Sequence, residues 1–444
     1  MPDRRGEPAD PVAAALAAAF LDGPWTVAEL DRRGRWAVGR PRARWVRILT
    51  DQVLERFPRP PVDEPRALRA FVARSTPYGR ARAAAERAGE PLQVAHLVTA
   101  TTAMGRNRWG APALDTVADL AAFLDLAEAH LDWFADVRRL QVRAPAGPLH
   151  HYSSRWSAKR GAPRLLEAPL PRLKAVQRTV LHRVLARFPV HEAAHGFVPG
   201  RSPLTGAAQH VRARTVVRFD LEGFFTAVPA GRVFGVFRQG GYPEPVAHVL
   251  TGLLTHVTPL TVLRAMPAGG SGDERYRLRR NLSRAHLPQG APTSPALANL
   301  VALGLDRRLA GWARAAGLTY TRYADDLTFS CADGLDPRRL QRAVAAIAAD
   351  EGFALNPAKT RVRGAGARQL VTGLVVNEHP NVPREEFDRL KAVLHHCVRH
   401  GPDGQDREGH PDFRAHLLGR IARVEAVNPA KGRRLRERFD AIAW

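Results

Sequence analysis

The chain is poor in cysteine, with only Cys331 and Cys397 in 444 residues. There is no CxxC and no His/Cys cluster, so neither a zinc site nor a disulfide framework is indicated. A reducing cytoplasm is the expected location. Long hydrophobic runs are also lacking. The apolar stretch 12–21 is too short to span a bilayer, so no membrane partner is expected. With Arg4 and Arg5 before it the stretch faintly resembles a signal peptide, but Glu7 and Asp10 intervene and Asp22-Gly23-Pro24 is no small-residue cleavage site, so a secretory signal is not expected. An amphipathic helix is expected there instead. Acid is scarce: 43 Asp and Glu face 67 Lys and Arg, for a net charge of +24. Codon bias toward Arg and Ala accounts for some of the arginine but not for the imbalance. The excess points to a polyanionic partner, most simply nucleic acid. Its dominance by arginine suits planar phosphate contacts.

What the chain does carry is Tyr323-Ala324-Asp325-Asp326, set between two strand-like runs, 318–322 and 327–331. Both runs are rich in β-branched, aromatic and apolar residues. Asp is common in solvated turns. Two adjacent carboxylates at a hairpin tip nevertheless repel each other unless a cation sits between them. A hard divalent metal with oxygen ligands resolves that conflict.

The pattern predicts helices over most of residues 1–110, most clearly at 42–57 and 64–87, and a helical pair at 113–140. A basic, Pro-punctuated stretch follows to Lys174, read as strands and a loop, and then a helix at 176–188. Thr215–Asp220 reads as a strand and 230–256 as helix. Residues 265–286, with Gly269-Gly270-Ser271-Gly272 and several Arg, read as a polar loop. A helix from Ser294, a plausible N-cap, runs to Gly317. After the hairpin come a helix from Asp336-Pro337 to Gly352, a strand at 369–376 and helices from Pro383 onward. Leaving out the loop, the order is the ferredoxin-like βαββαβ. That order sets the strand ending at Asp220 beside the hairpin carrying Asp325 and Asp326. Three converging acids in a basic protein suggest two-metal phosphoryl transfer, with ions about 3.5–4 Å apart.

These residues resemble reverse transcriptases. Arg218-Phe219-Asp220-Leu221-Glu222-Gly223-Phe224-Phe225, Leu287-Pro288-Gln289-Gly290-Ala291-Pro292-Thr293-Ser294-Pro295 and Tyr323-Ala324-Asp325-Asp326 look like palm motifs A, B and C. Gly352-Phe353-Ala354-Leu355-Asn356 through Lys359-Thr360 resembles motif D. His195-Gly196-Phe197-Val198-Pro199-Gly200-Arg201-Ser202 and Lys159-Arg160-Gly161 through Arg164 look like fingers motifs. The likeness covers about 113–444. Within the family it is similar to the bacterial retron group. Val371-Thr372-Gly373-Leu374-Val375-Val376-Asn377 resembles that group's VTG segment. Gly206-Ala207-Ala208-Gln209-His210 resembles its NAxxH element, with Gly in place of Asn.

The resemblance implies an α+β, right-hand polymerase. Its parts are a helical N-terminal extension (1–112), fingers (113–214), a ferredoxin-like palm (215–380) and a small helical thumb (381–444). It implies that Asp220 and Asp325 are the main ligands of two Mg²⁺, with Mn²⁺ as the alternative ion and Asp326 as a third, weaker ligand. Phe225 would lie under the incoming sugar, with Phe224 in the core. Gln289 and Gly290 would line the nucleotide pocket, and Lys159, Arg160 and Arg164 would reach the triphosphate. Lys359 is the candidate acid toward pyrophosphate. Val371, Thr372, Gly373 and His210 fall in the RNA-recognition elements. The implied partners are dNTPs, a structured noncoding RNA, its branched RNA–DNA product primed from a 2′-hydroxyl, and an anti-phage effector protein. The competing readings are an intron-type or untemplated polymerase and a catalytically idle nucleic-acid scaffold. The second gains nothing from three acids at one point.

Overall fold

The computed structural model describes residues 10–96, 98, 101–142, 144, 147, 150–157 and 163–444. The chain divides into two compact units, Met1–Pro189 with Val228–Leu297, and Val190–Ala227 with Ala298–Trp444.

In the first unit, helices Pro11–Leu21, Val27–Ala37, Arg44–Arg56, Pro65–Arg74 and Thr76–Arg87 enclose a core of their own. Leu16, Phe20, Leu30, Leu49, Leu68 and Tyr78 meet there. Each fully buried side chain of this size contributes about 1.5–3 kcal/mol. The first helix departs from expectation. It is buried nearly all round rather than amphipathic, because its alanines let neighbouring helices close on every side. Asp10 caps it through the Val12 and Ala13 amides and accepts a hydrogen bond from the Tyr78 hydroxyl. Charge ties this part to helices Ala230–Gln239 and Glu244–Leu254. Arg238 pairs with Asp63 and Glu64, and the Arg66 amide donates to Glu244.

The same unit holds the antiparallel hairpin of β1 (Tyr152–Ser157) and β2 (Arg164–Pro169). Along β2, Leu165, Glu167 and Pro169 face inward while Arg164 and Leu166 face out, the period of two that a half-buried strand requires. The expected loop at 265–286 is largely the helix Gly272–Leu282. A capping box explains the difference: Ser271 and Glu274 satisfy each other's amides, and this S-x-x-E signal outweighs the preceding glycines.

The second unit contains a four-stranded antiparallel sheet. It is built from β3 (Thr215–Asp220), β4 (Thr319–Tyr323), β5 (Asp326–Cys331) and β6 (Arg361–Gly364), in the order β4-β5-β3-β6. Val216, Val217, Phe219, Leu327 and Phe329 fill its interior. The expected strand at 369–376 is instead a tight hairpin of β7 (Leu370–Val371) and β8 (Leu374–Val375). Thr372 and Gly373 both take positive φ, 49° and 81°, as a two-residue hairpin turn demands. The fourth strand of the sheet is β6, exposed throughout. With no buried face it has no alternation to read. The single helix expected from Ser294 to Gly317 is two, Ser294–Val301 and Leu303–Ala315. Helices Arg384–His400, Phe413–Val427 and Pro429–Asp440 pack with Val371, Leu374 and Val376 around a shared core. Among the described residues, no helix is long and apolar enough to cross a membrane.

Candidate active site

The site is set by register. β3 ends at Asp220 and β5 begins at Asp326, and the two residues are paired across the strands. Tyr323 pairs with Asp326, so Ala324 and Asp325 form the two-residue turn between β4 and β5. The Leu221 amide donates to the Asp325 carbonyl at 2.8 Å. Three carboxylate-bearing residues thus stand at one end of the sheet. Burial raises the pKa of Asp325, and the neighbouring charge of Asp220 adds to the rise. Burial also raises that of Asp326, although Arg218 opposes the shift.

Each outer carboxylate has a basic partner. Lys359 Nζ lies 2.8 and 2.9 Å from the two oxygens of Asp220. The Arg218 guanidinium pairs with Asp326 through Nε and Nη2. Arg218 did not stand out in the sequence, because a charged residue within a strand reads as an ordinary outward position. Among the described residues, no three His, Cys, Asp or Glu side chains are grouped as a metal site. The donor chemistry nevertheless fits a hard divalent cation: carboxylate oxygens only, with the Asp220 charge acting to raise the pKa of both Asp325 and Asp326.

The turn is strained and is held from behind. Ala324 has φ 54°, a region costly for a residue with a Cβ. Gly196 passes so close that a Cβ there would stand 2.7 Å from the Ala324 nitrogen. The Arg322 guanidinium donates to Asp306 at 2.6 and 2.8 Å, to the Asn299 side-chain oxygen at 2.9 Å and to the Ala324 carbonyl at 3.0 Å. Asn299 donates to the Gly196 carbonyl at 2.8 Å, and the Tyr320 hydroxyl donates to Asp306. Arg322 and Asp306 are both fully buried. Sequence reasoning missed this network. Its one signal was an aspartate on the buried stripe of Leu305, Leu309 and Ala313, since an interior carboxylate needs a partner.

Phe225 is half-buried beside Phe197 and Phe224, with ring centroids 6.4 and 5.6 Å away. Phe224 is buried against Phe353, with Arg322 over its ring at 5.5 Å. β3 stops at Asp220, and the two residues follow in a turn where Gly223 takes φ 57°, Phe224 buried and Phe225 half-buried.

In the first unit, Gln289 and Gly290 lie in a loop seated on β2. The Glu167 amide donates to the Gln289 carbonyl at 2.8 Å. Gly290 has φ 137°, and a Cβ on it would meet the Glu167 carbonyl at 2.9 Å, so only glycine fits. Behind the loop, the buried Glu167 carboxylate accepts from Thr258 at 2.6 Å and faces His286 Nε2 at 2.8 Å. Burial works to raise the Glu167 pKa, but the His286 hydrogen bond and the nearby histidine charges bring it below the usual value. Arg164 is exposed on the outer side of β2. Lys159 and Arg160 lie outside the described residues.

The expected RNA-contacting residues separate. His210 is wholly buried, its ring nitrogens each 2.7 Å from the hydroxyls of Ser330 and Thr321. A direct RNA contact by this ring is therefore corrected to a structural role. Val371 is likewise core. Thr372 and Gly373 form the hairpin tip, and Gly373 is exposed.

The reverse transcriptase (RNA-dependent DNA polymerase) family model matches residues 157–371. The chain is 42% identical over 339 residues to Retron Mx65 reverse transcriptase of Myxococcus xanthus, which covers 74% of this chain and 73% of the relative. It is 40% identical to Retron Mx162 reverse transcriptase of the same organism, over 73% of this chain and 66% of the relative. To Retron Ec86 reverse transcriptase of Escherichia coli it is 35% identical, over 52% of this chain and 65% of the relative. A right-hand polymerase fold of the α+β class follows, with RNA-directed DNA polymerase, a nucleotidyltransferase activity, as its chemistry. The chain belongs to the retron reverse transcriptase family.

Proposed function

We propose that the protein copies part of its own structured noncoding RNA into DNA, giving a branched RNA–DNA product, in the cytoplasm and within an anti-phage defence system that includes an effector protein. The observation that carries the catalytic half of this reading is the in-register pairing of Asp220 with Asp326, with Asp325 in the adjoining turn. Asp220 and Asp325 are the main ligands of two Mg²⁺ or Mn²⁺ ions, and Asp326 is the weaker third. When bound, the ions supply the charge that activates the attacking hydroxyl and neutralises the triphosphate. Lys359 leaves Asp220 to meet the departing pyrophosphate as an acid. Phe225 lies under the sugar, Gln289 and Gly290 line the nucleotide pocket, and Lys159, Arg160 and Arg164 hold the triphosphate of the dNTP.

Thr372 and Gly373 meet the RNA from the tip of their hairpin, which Val371 anchors from inside, while His210 braces β4 and β5. Residues 1–112 form the helical extension, 113–214 the fingers, 215–380 a ferredoxin-like palm and 381–444 the thumb. The deciding experiment is to sequence the nucleic acid that co-purifies with the protein. A single structured RNA covalently joined to its DNA copy is expected. Random cellular RNA carrying no attached DNA would sink the reading.

A further inference from the structure

The helix Gly272–Leu282 divides its side chains by period. Leu278 and Leu282 pack inward with Leu165, Leu263 and Trp156. Arg275 and Arg279 turn back to backbone carbonyls, at Gly269, Gly270 and Leu263. Tyr276 and Arg280 stand opposite the leucine stripe, one turn or about 6 Å apart along the axis. Tyr276 is 68% exposed, the largest value among the exposed large hydrophobic residues described. The Arg280 side chain is exposed and makes no hydrogen bond or ion pair among the described residues, and Arg284, exposed just beyond the helix, donates to the Arg280 carbonyl and the Asn281 side-chain oxygen. Residues 275–284 contain five arginines and no acid. Folding accounts for the leucines and for the two arginines that fasten the preceding loop. It does not account for an exposed tyrosine followed by a guanidinium one turn later.

We infer that this outer face is a docking surface for single-stranded nucleic acid, with the Tyr276 ring stacked on a base and Arg280 and Arg284 on neighbouring phosphates. Aromatic platforms beside cationic groups are what strand binding without sequence preference requires. The face lacks the apolar centre that a protein interface needs, and its charge complements phosphate. The inference deepens the proposed function and rests on it for the identity of the strand.

Binding is measured to a 20-nucleotide single-stranded RNA, without dNTP. Tyr276→Ala is expected to weaken affinity about 5- to 150-fold, the range that losing one stacked base produces, and Tyr276→Phe to restore it. Arg280→Ala is expected to reduce the slope of log K against log[salt] by about 0.7, the value for one phosphate contact on a single strand. Both side chains are exposed, so the variants keep the fold, which melting temperatures check. One-nucleotide extension of a saturating, pre-annealed primer–template stays at the wild-type rate. Unchanged RNA affinity and salt slope in folded Tyr276→Ala/Arg280→Ala protein overturns the inference and leaves the face to a protein partner. If the wild-type chain makes no DNA, the polymerase reading fails while the binding comparison still reads out, so the two failures are distinguishable.

Discussion

Arg322 and Asp306 form a fully buried ion pair, 2.6 Å at its shorter contact, directly behind the turn that carries Asp325. Burial opposes the Arg322 charge, and the Asp306 carboxylate more than restores it. Removing one partner leaves the other charged and unsolvated. Asp306→Ala is therefore expected to destabilise the fold by about 3–5 kcal/mol, read by denaturant unfolding. Asp306→Asn keeps the shape but not the charge, and should lower DNA synthesis in protein that remains folded. Wild-type stability of Asp306→Ala would show that the network holds nothing.

Asp325→Asn should abolish DNA synthesis on a primed RNA template with Mg²⁺ while leaving the melting temperature and RNA affinity near wild type. Asp325 is half-buried and stands in the two-residue turn, outside the paired strands of the sheet. Wild-type extension rates in this variant would remove Asp325 from the chemistry.

Phe225 and Phe224 should separate in their effects. Phe225 is half-buried at the aromatic rim with Phe197, whereas Phe224 is core against Phe353. A ring under the sugar excludes a ribose 2′-hydroxyl by collision. Phe225→Ala should raise ribonucleotide incorporation and retain substantial deoxynucleotide activity. Phe224→Ala should cost about 3–5 kcal/mol of stability. Steady-state incorporation of both nucleotide classes, beside melting curves, checks the pair; unchanged sugar discrimination in active Phe225→Ala protein rules out the gate.

Burial depresses the His210 pKa from 6.5 to about 4, and the charge of His195 adds to the fall. The unfolded chain then takes up a proton at a pH where the folded one does not. The stability from neutral His210 is fully present above pH 6.5 and is lost as pH falls toward about 4. His256, also pushed to about 4 by burial, acts in the same direction. His210→Gln, which keeps one polar contact without a titrating ring, should flatten the decline in unfolding free energy between pH 6.5 and 4. An identical pH slope in the variant would show that His210 does not titrate there.

Composition and motif order alone determined the enzyme class of this chain. The acids at 220, 325 and 326, the glycine at 290 and the run of motifs between them are residue types that a reaction on phosphate demands, and demand of that kind is local. The strand ending at Asp220 and the hairpin around Ala324 were legible because β-branched and aromatic residues flank them. Other features depended on partners far along the chain. The helix Gly272–Leu282 was signalled locally by the Ser271 and Glu274 capping box, but which of its faces turns inward is decided by Leu165 and Leu263, on which Leu278 and Leu282 pack. The 369–376 run folds back on itself because Thr372 and Gly373 accept positive φ, and the bare strand Arg361–Gly364 takes the place beside β3. Arg218, Arg322, Asp306 and Glu167 acquire their roles only through pairing: a charged side chain becomes a buried anchor or an exposed solvating group according to which opposite charge the fold delivers within about 3 Å. Sequence spacing carries no such information when the partners lie 16, 108 or 119 residues apart.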